Sequence, residues 1–272
     1  MEIGFNRRLD EDPVVSGVTP LLRPATEKLT LERMKAIAVI PARLASTRLP
    51  RKMLREVAGE PLISRVYRGV RSCSLLADVI VATDSDEISG HCQSQGFHVR
   101  MTSPSCRNGT ERVHEVSNSI PADVYINVQG DELLAGAEHI AALLSLMKNS
   151  ETVGTLKVAA TPEDIANPHA VKVVTDANGR ALYFSRSTIP YDRDGIKPAY
   201  FKHLGFYAYR KAALDRYVSM PESPLEQSER LEQLRFLENG IPIQVGETRH
   251  DTIRIDALED LQKAEELLKE RK

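Results

Sequence analysis

Hydrophobic positions along this chain fall into two rhythms. Short uncharged or nearly uncharged runs rich in β-branched residues recur at 36–40, 78–83, 99–101 and 123–128, which is how strands covered on both faces of a sheet are written. Between them, apolar residues return at three- and four-residue steps. That spacing predicts helices over 62–72, with Ile63, Val66, Tyr67 and Val70 on one face, over roughly 86–95, from 109 onward with Val113 and Val116 inward, and over 137–148. Strand and helix in this alternation predict an α/β fold with a doubly wound, mostly parallel sheet.

From residue 153 the rhythm changes. Runs at 153–158, 171–175, 181–185 and 204–209 read as strands without long helices between them, and predict a small mixed β subdomain laid over the first half. One periodic helix is expected over 224–240, with Leu231, Leu234 and Leu237 inward and Gly240 at the position just past its end. A short strand at 252–256 and a terminal helix carrying Leu258, Leu261, Ala264, Leu267 and Leu268 complete the reading. The expected plan is a flexible extension over 1–34 followed by one domain over 35–272, with parts at 35–150, 151–250 and 251–272. Residues 1–34 mix Arg7, Arg8, Asp10, Glu11 and Asp12 with Pro13, Pro20 and Pro24, so they hold no signal peptide. Met34, directly before the first strand, is a candidate start of translation.

Charge and composition narrow the partners. A net charge of −2 with 27% charged residues excludes a nucleic-acid partner held by bulk electrostatics. No apolar run approaches the about 20 residues that a membrane span requires, so no membrane partner is expected. Cys73, Cys92 and Cys106 are too scattered for a disulfide framework or a zinc site, which fits a reducing, cytoplasmic setting.

Candidate chemistry collects where strands end. The loop after the first strand sets Arg43, Arg48, Arg51 and Lys52 beside Ser46 and Thr47, and contains no glycine. Such a loop at the ligand-binding edge of an α/β sheet suits a polyanion, a nucleoside triphosphate above all, gripped by charged side chains more than by backbone amides. Gln129-Gly-Asp-Glu132 follows the 123–128 strand. There Gly130 permits a sharp turn and Asp131 offers a carboxylate to a hard cation such as Mg²⁺. Asp256 ends the last strand, and two such acids with substrate phosphates suffice for Mg²⁺. Gly109-Thr110 opens a helix, either as donors to a ribose or base or as a cap. Asp84-Ser-Asp86 reads as a helix N-cap, or as the DxD motif of a nucleotide-sugar glycosyltransferase.

Pro41-Ala-Arg-x-x-Ser-x-Arg-Leu-Pro-x-Lys52 resembles the signature loop of the CMP-sugar synthetase family, most closely its CMP-KDO synthetase branch. So do Asn108-Gly-Thr-Glu-Arg112, Gln129-Gly-Asp-Glu132, and the segments 167–174, 181–190, 202–210 and 231–235. The resemblance implies a nucleotidyltransferase-type fold whose residues 35–150 bind nucleotide and whose residues 151–250 carry sugar and dimer contacts. It implies the reaction CTP + KDO → CMP-KDO + diphosphate, with Mg²⁺, in a cytoplasmic homodimer serving lipopolysaccharide synthesis. By the same resemblance Arg48, Lys52, Asp131 and Asp256 are catalytic, the two acids as metal ligands. Ala42, Arg43, Ser46, Lys52, Gly109 and Thr110 would hold CTP. Gln129, Arg186, His203, Tyr207, Glu232 and Gln233 would hold the sugar, with Arg186 and His203 as a cationic clamp on its carboxylate. Three places depart from the family pattern: Leu133 stands for Pro, Arg254 for Gly, and Ala257-Leu258 for Thr-Pro. The alternatives are a cytidylyltransferase for a related ulosonic acid, a DxD glycosyltransferase, an enzyme acting on sugar 1-phosphates, whose glycine-rich loop is missing here, and a non-catalytic nucleotide-binding relative.

Overall fold

A computed structural model of the chain describes residues 34–46, 48–149 and 152–270. Residues 1–33 of the extension expected over 1–34, and Thr47, lie outside the described residues. The first half contains β1 (Ala36–Ala42), β2 (Glu56–Val57), β3 (Glu60–Pro61), α1 (Leu62–Arg71), β4 (Leu76–Thr83), α2 (Asp86–Ser94), β5 (Val99–Met101), α3 (Gly109–Ser119), β6 (Val124–Val128), β7 (Glu132–Leu133) and α4 (Ala137–Leu146). The second half contains β8 (Val153–Ala159), α5 (Pro162–Ala166), β9 (Lys172–Thr175), β10 (Ala181–Ser185), β11 (Phe201–Tyr209), α6 (Lys211–Ser219), α7 (Pro224–Glu229), α8 (Leu234–Glu238), β12 (Gln244–Glu247), β13 (Ile253–Arg254) and α9 (Leu258–Glu270).

β1 is apolar throughout because both of its faces are buried. Ala36, Ala38, Ile40 and Ala42 face a core shared with α1, α2, α4 and α9, while Ile37 and Val39 face a second core shared with α3, α6 and α8. The parallel strands run in the order β6, β1, β4, β5. The chain thus leaves β1 toward β4 on one side and returns to β6 on the other. That reversal opens a crevice at the carboxyl ends of β1 and β6. β1 runs past the 36–40 expected from its apolar run and takes in Pro41 and Ala42. Pairing with β6 stops at Val39, so the N–H that Pro41 lacks is not missed on that side, while pairing with β4 continues to Ala42.

The second-half strands do not form a separate layer over the first half. β11 pairs antiparallel with β6, β8 and β9, and β12 runs parallel to β8, so one continuous sheet carries both halves. The reason is that β6 has a free edge, and the long β11 fills it with Phe206, Ala208 and their neighbours.

The helix expected over 224–240 is broken. α7 ends at Arg230 in the left-handed region (φ 54°), and α8 begins at Leu234. Arg235, fully buried, grips Glu226 with Nε–Oε2 at 2.7 Å and a second nitrogen–Oε1 contact at 2.6 Å. Nine residues apart on a straight helix they would face opposite sides, about 13 Å apart along the axis. The pair therefore requires the chain to fold back. Gly240 does sit just past α8 with φ +68°, as expected.

Candidate active site

The crevice is built from three strand ends. β1 delivers the basic loop and then a single 3₁₀ turn that starts at Lys52. β6 delivers Gln129, Gly130 and Asp131. Gly130 is required by close approach: a Cβ there would lie 2.9 Å from the Pro41 carbonyl and 2.9 Å from Met53 Sδ. β13 delivers Asp256, and it is tied to β7 by antiparallel pairs between Ile253 and Leu133 and between Arg254 and Glu132.

These elements bring the two acids together. Lys52 Nζ lies 2.6 Å from Asp131 Oδ2 and 3.1 Å from Asp256 Oδ1, while Arg48 reaches Asp256 Oδ2 at 3.1 Å. Arg254 Nε stands 3.4 Å from Asp256 Oδ2 and 3.7 Å from Asp131 Oδ2. Burial alone raises the Asp256 carboxyl's pKa, but Arg254, Lys52 and Arg48 together hold it below the usual carboxylate value. Among the described residues no group of three or more His, Cys, Asp or Glu is placed to hold a metal alone. What they offer is a pair of carboxylate oxygens already converging on one cationic atom. That donor set fits a hard divalent cation completed by phosphate oxygens or water.

Two departures from the family pattern are absorbed by neighbours. Leu133 is buried and laddered to Ile253, which holds the turn without a proline. Asp260 accepts the amides of Asp256 and Ala257 at 2.9 and 2.8 Å, so α9 is capped and Asp256 is anchored without Thr-Pro.

On the β4 side a cleft of ≈ 490 Å³ is lined by Leu44, Ala45, Ser46, Pro50, Arg51, Asp84 and Ser85. Ser85 caps α2, its side chain accepting from the Ile88 amide, and Asp84 is bound by the fully buried Arg112. Asp84 and Asp86 thus serve the helix start and an ion pair, against the DxD reading. Arg43 points across the crevice to the carbonyl of Cys106.

On the β11 side lies a buried cluster of polar groups without partners. Both amide atoms of Asn127, the Tyr207 hydroxyl and Glu232 Oε2 are shielded from solvent and make no hydrogen bond within the chain. Asn127 sits opposite Tyr207 in the β6–β11 register. A Cβ on Gly109 would lie 3.0 Å from Gln129 Nε2 and 3.3 Å from Asn127 Nδ2, so Gly109 lets the start of α3 approach these amides closely. Gln233 is buried as well. Unpaired buried polar atoms are costly, and a hydroxyl-rich ligand would satisfy them.

The clamp expected from Arg186 and His203 is not present as a pair of cations. His203, bonded to Thr155 Oγ1 at 2.9 Å, is pushed down to about 3 by burial and is therefore neutral. The Arg186 guanidinium donates to the carbonyls of Glu229, Pro168 and Arg230. Asn127 was missed by sequence reasoning, although a lone Asn within an apolar strand is itself a signal.

Glu232 carries a measurable consequence. Burial pushes its carboxyl up to about 7, Thr110 pulling it partly back. A raised carboxyl favours the neutral form in the folded state, so its contribution is complete below the unfolded value near 4.5 and is lost as pH rises through about 7. Between pH 5 and 7.5 the ligand-free protein is expected to lose stability, by on the order of 1–3 kcal/mol, relative to Glu232→Gln. Parallel thermal melts of both proteins across that range that keep a constant separation would show that Glu232 does not titrate there.

Residues 37–248 match the Cytidylyltransferase family. The chain is 61% identical over 240 residues to a 3-deoxy-manno-octulosonate cytidylyltransferase of Koribacter versatilis, covering 88% of this chain and 92% of that protein. It is 52% identical to the protein of that name from Acidobacterium capsulatum, covering 89% and 100%. A solved CMP:2-keto-3-deoxy-manno-octonic acid synthetase complexed with CTP superposes with a TM-score of 0.83 at 40% identity, covering 88% of this chain and 100% of that one.

Proposed function

The chain belongs to the 3-deoxy-manno-octulosonate cytidylyltransferase family, and on that premise we propose that it makes CMP-KDO and diphosphate from CTP and KDO. The observation that carries this reading is the meeting of Lys52, Asp131 and Asp256 at the strand ends, with a cleft toward β4 and a cluster of unpartnered polar groups toward β11. Base and ribose occupy the cleft beside Ser46 and Asp84, with Ala42, Arg43, Gly109 and Thr110 closing around the nucleotide. The acid sugar occupies the pocket of Asn127, Gln129, Tyr207, Glu232 and Gln233, with His203 as a neutral wall and Arg186 at the rim.

The anomeric hydroxyl of the sugar gives up its proton to solvent and its oxygen attacks the α-phosphorus. A new P–O bond forms as the bond to the β-phosphate oxygen breaks, and diphosphate leaves with that electron pair. Arg48 and Lys52 neutralise the charge developing on the leaving group. Asp131 and Asp256 would hold a magnesium ion, which when bound would supply Lewis-acid polarisation of phosphoryl oxygen and a lowered hydroxyl pKa. The protein works as a cytoplasmic homodimer in lipopolysaccharide synthesis. Among the described residues no helix is long and apolar enough to cross a membrane. The exposed Leu182 of β10, with Tyr191 and Ile196 in the loop that follows, supports a face covered by a second copy.

A pyrophosphate-release assay with Mg²⁺, each of the four nucleoside triphosphates and a panel of keto-acid sugars tests the reading. CTP with KDO is expected to give the highest turnover by at least about tenfold. Equal release with UTP, or a different ulosonic acid as best acceptor, would replace this assignment.

A further inference from the structure

Arg254 adds a third cation to a pair of carboxylates. It lies on β13 opposite Glu132, its Nε within 3.4 Å of Asp256 Oδ2 and 3.7 Å of Asp131 Oδ2. Lys52 and Arg48 already reach the same two groups at 2.6–3.1 Å. Arg254 therefore adds one positive charge, where a glycine, as in the motif this segment resembles, would add none, to a group made of Lys52, Arg48 and the two crevice acids, with the buried Glu132 carboxyl beside it on the β13–β7 ladder. The Arg254 side chain is 50% exposed and directed at the crevice through its acids, so its charge is felt by anything entering.

That added charge bears on what binds first. A bare divalent cation entering between Asp131 and Asp256 is opposed by Arg254 as well as by Lys52 and Arg48. A polyanionic nucleoside triphosphate meets attraction, and once its phosphates are in place they offer the cations new partners and release the carboxylates.

We propose that Arg254 is a positioning residue that sets the order of binding: it keeps Asp131 and Asp256 neutralised in the free protein, so that the nucleoside triphosphate binds without metal and a divalent cation is accepted only with its phosphates. The inference rests on Asp131 and Asp256 being the metal-holding pair.

Mn²⁺ titrated into the nucleotide-free protein and followed by its paramagnetic resonance signal gives one readout, and calorimetry of CTP in excess chelator gives the other. Wild-type protein is expected to bind CTP without metal and to take up Mn²⁺ weakly until CTP is added. Arg254→Gly is expected to bind bare Mn²⁺ roughly fivefold to tenfold more tightly and metal-free CTP weaker by a similar factor. Arg254→Lys, which keeps the charge, should stay near wild type on both. Bare Mn²⁺ binding as tightly to wild type as to Arg254→Gly, or CTP that needs metal to bind wild type, overturns the role of Arg254. Mn²⁺ that fails to bind wild type even with CTP present overturns the metal pair itself, and this inference with it.

Discussion

Asp131→Asn is expected to lower pyrophosphate release by at least about a thousandfold while leaving the protein folded. The substitution keeps the shape of the side chain and removes one of the two carboxylates that meet at Lys52. Lys52 and Arg254 then share Asp256 alone, and the remaining single carboxylate holds a divalent cation far less well. Lewis-acid stabilisation of a phosphoryl transition state is worth several kcal/mol, and a thousandfold is about 4 kcal/mol. Asp131 lies at the end of β6 and only its Oδ atoms face the cations, so the cores on either side of the sheet are untouched. The measurement is steady-state release with CTP and KDO, accompanied by a thermal melt. A variant within tenfold of wild type would remove Asp131 from the chemistry, and a collapsed melt would move its role to stability.

The second large effect is on folding. Arg235→Ala should cost about 3–5 kcal/mol of unfolding free energy, because Glu226 is left buried and unpaired. Arg235 also lies 4.2 Å from the centroid of the Tyr217 ring, and that packing goes with it. For a chain of this size the shift in melting temperature is on the order of 10 °C. The double replacement Arg235→Met with Glu226→Leu should recover much of the loss, since no uncompensated charge remains. Urea unfolding of the three proteins separates these cases. A single-variant loss below about 1 kcal/mol would mean that the fold-back at Arg230 is held by something other than this ion pair. Because the pair fixes the turn that carries Glu232 and Gln233, the single variant should also weaken acceptor binding before it unfolds the protein.

Local periodicity shows its reach and its limits in particular elements. The apolar run of β1 and the spacing of Ile63, Val66, Tyr67 and Val70 were readable because each depends on only a few neighbouring residues and a buried face. The joining of β11 to β6 was not, since nothing within 201–209 names the strand whose edge it completes. The break at Arg230 was hidden by leucines at helical spacing. Local pattern counts faces, whereas the break is set by a contact between residues 226 and 235 that a continuous helix forbids. His203 looked cationic on paper, yet its charge was decided by burial, a property of the packed sheet. Asn127 is marked in the sequence only as a lone Asn in an apolar strand, and its want of a partner is a property of the fold.

The sequence by itself determined that this is an α/β protein with a glycine-free basic loop at the end of its first strand, two acids at the ends of later strands, and the motifs of a sugar-activating nucleotidyltransferase. These are properties of short segments, and short segments carry their own propensities and side-chain chemistry. Tertiary structure alone decided that Asp131 and Asp256 share one lysine, that Arg254 joins them, and that one sheet rather than two carries both halves of the chain. Each of those facts depends on residues distant in the chain becoming neighbours, and the distance between neighbours fixes the charge each one keeps.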